Sequence, residues 1–194
     1  MSLSETATAS QPSAPAPTTD PAATPASLGY RLPAAWEPHE ATWLAWPGCK
    51  GKGGIGETYG REATLGVLAK MVDALADSEP VRIAVAGPEA EREARELFRR
   101  LRTRTTHVTF VPVATDTPWC REYGPVFLTR KTKASPLALV DWEYNAWGWK
   151  YPPFDLDNAF PEAVAGQLGV PRFAGDLVLE GGSIDGNGNG SLLI

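Results

Sequence analysis

Apolar positions fall at steps of three and four between Arg61 and Ala76, where Leu65, Leu68, Met71, Val72 and Leu75 mark one face of a helix. The pattern then changes. Residues 81–87, VRIAVAG, form a short and nearly unbroken apolar run that predicts a buried strand. Residues 88–102, PEAEREARELFRRLR, return to helical composition, with carboxylates in the first turns, arginines in the last and Pro88 in the first turn. That order suits the helix dipole and the tolerance of the first turn for proline. HVTFVPV, residues 107–113, predicts a further strand and runs into the loop that holds WCREYGP, residues 119–125.

On the N-terminal side, ATWLAW (41–46) has strand length and is ended by Pro47 and Gly48. On the C-terminal side, VFLTR (126–130) and LALVDWEYN (137–145) flank the polar turn residues Lys131 to Pro136, which predicts a hairpin. Residues 145–158 read as loop, and residues 159–168 as a short helix closed at Gly169. LVLEGGSI (177–184) and SLLI (191–194) predict two more strands around the turn DGNGNG. A strand, then an aromatic or acidic loop, recurs at WLAWP, WCREYGP and LEGG, a loose repeat whose loops would face a common centre.

Composition narrows the function classes. Eighteen Lys and Arg against 23 Asp and Glu leave a formal charge of -5 with neither sign gathered into a block, which argues against a nucleic-acid partner. Two cysteines far apart, Cys49 and Cys120, and two histidines match no zinc-ligand spacing, which argues against a structural metal, and a reducing, cytoplasmic setting is the simplest. Residues 1–28 are rich in Ala, Pro, Ser and Thr, with no basic residue and no apolar run of signal or membrane-span length. They are expected to form a disordered leader ahead of a folded unit at 29–194, with no membrane association. The last residues, SLLI, are apolar and follow a turn that announces a returning strand, so the chain is expected to be a part of a longer one.

Three local motifs invite chemistry. GCKGKGGIG (48–56) is Gly-rich but lacks the Gly-Lys-Ser or Gly-Lys-Thr that closes a P-loop. DGNGNG (185–190) matches the first half of a calcium loop, yet its flanks read as strands and a hairpin turn fits better. WCREYGP sets an indole, a thiol, a guanidinium, a carboxylate and a phenol side by side. Either Cys120 is a nucleophile, or Trp119, Arg121 and Glu122 wall a site whose reacting group lies elsewhere. Taken without its context, the same loop reads as a surface ion pair beside a core tryptophan.

Four blocks, LPAAWEPHEATWLAWP, WCREYGPVF, NAWGWKYPPFDLDN and LEGGSIDGNGNGSLL, resemble in this order the agmatine deiminase and bacterial (Porphyromonas-type) peptidylarginine deiminase family, over residues 29–194. The resemblance implies an α/β pentein fold, five ββαβ units around a pseudo-fivefold axis, of which this chain would supply about half. It implies hydrolysis of a guanidinium to a ureido group with loss of ammonia, by a cysteine nucleophile and a histidine that lie in downstream blocks, and no metal or organic cofactor. The chain alone is therefore expected to be inactive. In the family the loop is written Trp-x-Arg-Asp-x-Gly-Pro, and the Asp binds the guanidinium beside the stacking Trp. Trp119 and Arg121 match, and Glu122 stands where the Asp would be. Cys120 falls at the variable position, Cys49 is no better candidate, and neither His39 nor His107 lies in a catalytic block. Glu180, in LEGG, and Trp46, at the end of WLAWP, are further candidates for the substrate pocket. The tryptophans Trp142, Trp147 and Trp149 could suggest sugar stacking, but packing and the family block account for them. The substrate expected is a small guanidino compound, agmatine, giving N-carbamoylputrescine for putrescine synthesis; a homodimer is a candidate assembly of the full-length protein. The alternatives are a non-catalytic pentein that binds guanidino ligands or partners, and a peptidylarginine deiminase.

Overall fold

The computed structural model describes residues 23–48, 60–132 and 136–194. The segment after Gly48, including Cys49, and most of the expected leader lie outside the described residues. Strands β1 (Thr42–Ala45), β2 (Val81–Ala84) and β3 (Val108–Val111) form a parallel sheet in the order β1-β2-β3, with Leu44 beside Ile83 and Ile83 beside Phe110. Helices α1 (Arg61–Leu75) and α2 (Pro88–Leu101) make the crossovers. Their apolar faces, Leu65, Leu68, Val72, Leu97 and Phe98, pack on Leu44, Val81, Ile83 and Val85. Alternation along each strand sends the other set, Trp43, Ala45 and Ala84, into a second core. Both faces of this sheet are covered, which is why VRIAVAG carries an apolar run rather than a strict alternation.

The second sheet contains β4 (Val126–Thr129), β5 (Leu137–Glu143) and β6 (Arg172–Val178) in that order. β4 and β5 are antiparallel, as the hairpin expectation required, and β6 returns parallel to β5 after the helix Phe160–Leu168. This is a ββαβ unit. Its helix starts on a proline in the first turn and ends at Gly169, whose φ of 63° supplies the left-handed cap. Phe160, Val164 and Ala165 from this helix join Leu139, Tyr123, Tyr144, Ala45 and Ala84 in the core shared by the two sheets.

Some boundaries differ from those expected. The strand placed at 177–184 lies earlier, at Arg172–Val178, and LEGGSI becomes a 3-10 turn over Gly181–Ser183. The final pair is β7 (Asp185–Gly186) with β8 (Leu192–Leu193), so the first residues of DGNGNG belong to a strand. The stretch read as loop at 145–158 holds two turns, Ala146–Trp149 and Asp155–Asn158. The first of them is left-handed, with φ of 51°, 55°, 74° and 66° along its four residues. WCREYGP itself contains one helical turn, Cys120–Tyr123. The loops that follow β3, β5 and β6 converge at the carboxyl ends of their strands, where open α/β sheets place their sites.

Candidate functional site

The loop leading to Trp119 is held by a buried carboxylate. Asp157, 0% exposed, accepts hydrogen bonds from the backbone N–H groups of Asp116 (2.7 Å) and Thr117 (3.1 Å) and from the Thr117 hydroxyl (2.7 Å). Asp116 returns the favour, its Oδ2 accepting from the Leu156 N–H at 3.0 Å. Burial pushes the Asp157 carboxyl up to about 7, against the pull of these donors. The next residue, Asn158, accepts from the Tyr144 N–H at 2.6 Å and donates to Glu143 at 2.9 Å. FDLDN is thus a clamp that sets the approach to Trp119 and the end of β5.

Trp119, Arg121, Glu122 and Glu180 are brought together by the LEGG turn packing on the WCREYGP turn. The Glu122 carboxylate accepts a hydrogen bond from the Gly182 N–H at 3.1 Å. A Cβ on Gly182 would lie 2.2 Å from Glu122 Oε2, and one on Gly181 would lie 2.2 Å from the Arg121 carbonyl oxygen. Both glycines are therefore dictated by close approach rather than by turn conformation. Arg121 is exposed and donates to the Ile184 carbonyl at 3.0 Å, so its guanidinium fastens the second turn to the first. Glu180 caps its turn through its carbonyl, which accepts from the Ser183 N–H and hydroxyl.

Trp119, in the same segment as Glu122, is part of an aromatic wall. The Trp119 ring meets Trp147 edge-on at 5.1 Å and Tyr151 at 5.4 Å, and Trp147 and Tyr151 meet at 5.9 Å. The left-handed turn presents Trp147, and Asn145 closes that turn by accepting from the Gly148 N–H at 2.8 Å. Trp147 and Tyr151 were not singled out for the site from sequence; the block NAWGWKY was the available signal. An indole wall that starts three residues from a carboxylate held by a backbone N–H suits a planar, delocalised cation, which carboxylates bind by paired charged hydrogen bonds.

Trp46 is not brought to this group. It is 1% exposed, packs edge-on against Phe98 at 5.7 Å, and donates its indole N–H to Glu93 at 3.0 Å. Strand alternation explains the difference, since Trp46 shares the α1/α2 face with Leu44 while Trp43 and Ala45 take the opposite face. Cys120 sits with its thiol against the Trp43 carbonyl at 3.4 Å, and burial pushes it up to about 11. A thiol kept protonated is a poor nucleophile. Both ring nitrogens of His39 are engaged, with Glu79 at 3.0 Å and the Ala35 carbonyl at 2.8 Å, and His107 is exposed at the start of β3. The Asn187 side-chain oxygen accepts from Asn189 and Ser191, so the DGNGNG turn uses it for its own backbone. Among the described residues no cluster of three His, Cys, Asp or Glu could hold a metal, and no helix is long and apolar enough to cross a membrane. An open groove of about 510 Å³ includes Cys120 and Arg121 together with Leu32, Trp43 and Phe127, but not Trp119, Glu122 or Glu180.

Residues 31–194 match the family described as Porphyromonas-type peptidyl-arginine deiminase. The chain belongs to this family. It is 32% identical over 182 residues to an agmatine deiminase of Pseudomonas aeruginosa, covering 90% of this chain and 45% of that one. An agmatine deiminase of Medicago truncatula is 27% identical over 180 residues, covering 88% and 45%. The solved agmatine deiminase of Enterococcus faecalis superposes with a TM-score of 0.69 at 27% identity, covering 87% of this chain and 44% of that one. The fold is accordingly that of the penteins, and the chain spans less than half the length of these relatives. Its second sheet is the ββαβ repeat of that fold, whereas its first sheet is all parallel with two helical crossovers.

Proposed function

We propose that this chain supplies the guanidinium-binding half of an agmatine deiminase, a hydrolase that converts agmatine to N-carbamoylputrescine and ammonia. The observation that carries the reading is the Glu122 carboxylate, held by the Gly182 N–H in the same segment as Trp119, whose ring joins an aromatic wall. In this reading Glu122 and Glu180 pair with the N–H edges of the substrate cation, and the Trp119 face stacks on its plane. The paired charged hydrogen bonds hold the guanidinium carbon in place for attack. A thiolate adds to that carbon, ammonia leaves after protonation by a histidine, and water releases the ureido product from the thioester-like intermediate. The nucleophile and the histidine are taken from sequence outside these 194 residues, because the half-buried Cys120 thiol is held protonated and both His39 nitrogens are occupied.

Glutamate in place of the family's aspartate adds one methylene, and a displacement on the order of 1 Å could cost about a hundredfold in rate. The Gly182 N–H bond supports a functional glutamate, since it holds the longer side chain at one position. Agmatine is preferred over peptidyl-arginine because the curated relatives named above are agmatine deiminases. The test is to read the gene past codon 194 and assay the longest polypeptide it encodes for ammonia release. Release from agmatine and not from a peptidyl-arginine substrate supports the proposal. No release from a folded full-length protein, or release from peptidyl-arginine alone, contradicts it.

A further inference from the structure

Tyr144 follows β5 and is 3% exposed, with its ring set against Tyr123 (5.7 Å), Trp147 (5.9 Å) and Phe154 (6.2 Å). Its backbone N–H is fixed by Asn158. Those contacts account for a ring at this position, and a phenylalanine would make them equally well. They do not account for the hydroxyl. Among the described residues Tyr144 Oη has no hydrogen-bond partner, a state it shares only with Thr115 Oγ1 among buried side-chain polar atoms. A buried hydroxyl without a partner is destabilising, so this one is open to an acceptor supplied in another state of the site.

The surroundings indicate what that partner is. Burial first, then the carboxylates of Asp157, Glu122 and Glu180, hold the Tyr144 phenol above its usual value. The group therefore stays protonated and remains a donor. Asp157 already accepts three hydrogen bonds from residues 116 and 117, whereas Glu122 carries one, from the Gly182 N–H to Oε2. The ring also contacts Trp147, which in turn contacts Trp119, and it packs on Tyr123, the residue after Glu122, so Tyr144 is connected to the stacking wall and to the turn that carries Glu122.

We infer that Tyr144 is a positioning residue for the guanidinium site: its hydroxyl donates to the Glu122 carboxylate in the ligand-bound state, steadying the longer side chain against the cation. This rests on the proposed guanidinium-binding role of Glu122. No covalent step is involved; the tyrosine acts through Glu122 and sets affinity and orientation.

The experiment measures kcat and KM for agmatine with the longest polypeptide that the gene encodes, unsubstituted and as Tyr144→Phe, Glu122→Gln and the double variant. Tyr144→Phe keeps the ring and removes the unpartnered hydroxyl, so the melting temperature should hold or rise while kcat/KM falls roughly ten- to a hundredfold, the worth of a hydrogen bond to a charged group. In the Glu122→Gln background the same change should cost less than about twofold, because the carboxylate it serves is gone. Unchanged kcat/KM in Tyr144→Phe, with an active parent, overturns this inference and leaves the proposed function standing. Equal losses in both backgrounds overturn it too, since the hydroxyl would then act independently of Glu122. A parent that neither binds nor turns over agmatine overturns both.

Discussion

Glu122 and Gly182 form a contact in which each residue explains the other. The carboxylate can accept from the Gly182 N–H only because no Cβ occupies the 2.2 Å between that position and Oε2. Gly182→Ala in the full-length protein should displace the carboxylate and lower kcat/KM for agmatine by about a hundredfold. Cys120→Ser should leave turnover near its starting value, because the half-buried thiol lies against the Trp43 carbonyl and is held protonated. Steady-state kinetics of the two variants side by side checks both. At this scale the motifs WCREYGP and LEGG stood out in the sequence as candidates, but their contact did not, because Glu122 and Gly182 lie 60 positions apart. Tyr144 and Trp147 were still less visible: aromatic loops usually pack, and three non-glycine residues of a left-handed turn, Ala146, Trp147 and Trp149, leave no sequence signal.

At the level of elements, periodicity located α1, α2 and the β4/β5 hairpin, since each depends on local spacing or local turn chemistry. It placed the last strands poorly. Leu177 and Val178 are apolar but exposed at the end of β6, so apolar character extended the expected strand into the LEGG turn. The clamp from Asp157 was missed for a different reason. A short acidic stretch such as FDLDN reads as solvated loop, and only the tertiary fold buries it under the backbone of residues 116 and 117. Asp157→Ala should leave those buried donors unpaired and cost on the order of 3 kcal/mol, lowering the melting temperature by roughly 6–12 °C. The pH dependence has a definite sign. Asp157 titrates near 7 when folded and near 3.8 when unfolded, so the folded state holds the extra proton between these values. Its contribution to stability is greatest below about 3.8 and is lost as pH rises through 7. Melting curves from pH 4 to 7 should flatten in Asp157→Asn, which retains an acceptor for the two N–H groups without the titration.

Across the described residues, two three-stranded sheets share a core, and β7 and β8 form a third, two-stranded sheet. Against relatives about twice as long, this corresponds to less than half of the pentein ring. Leu177, Leu192, Leu193 and Ile194 are exposed, the last two at 73% and 88%. Large apolar side chains so exposed favour self-association. The 194-residue polypeptide should therefore run above its monomer mass in sedimentation, and Leu177→Lys with Leu193→Lys should shift it toward monomer; a monomeric parent would contradict this. Acidic and aromatic loops from β3, β5 and β6 meet at one end of the sheets, the end where the proposed cation site lies.

The most direct test of that assignment is the affinity of the full-length protein for agmatine with and without the Glu122 carboxylate, followed through the fluorescence of the adjacent tryptophans. Glu122→Ala should weaken binding by roughly a hundredfold or more while the melting temperature stays close to that of the parent. Binding of agmatine by Glu122→Ala at the parent's affinity would contradict it.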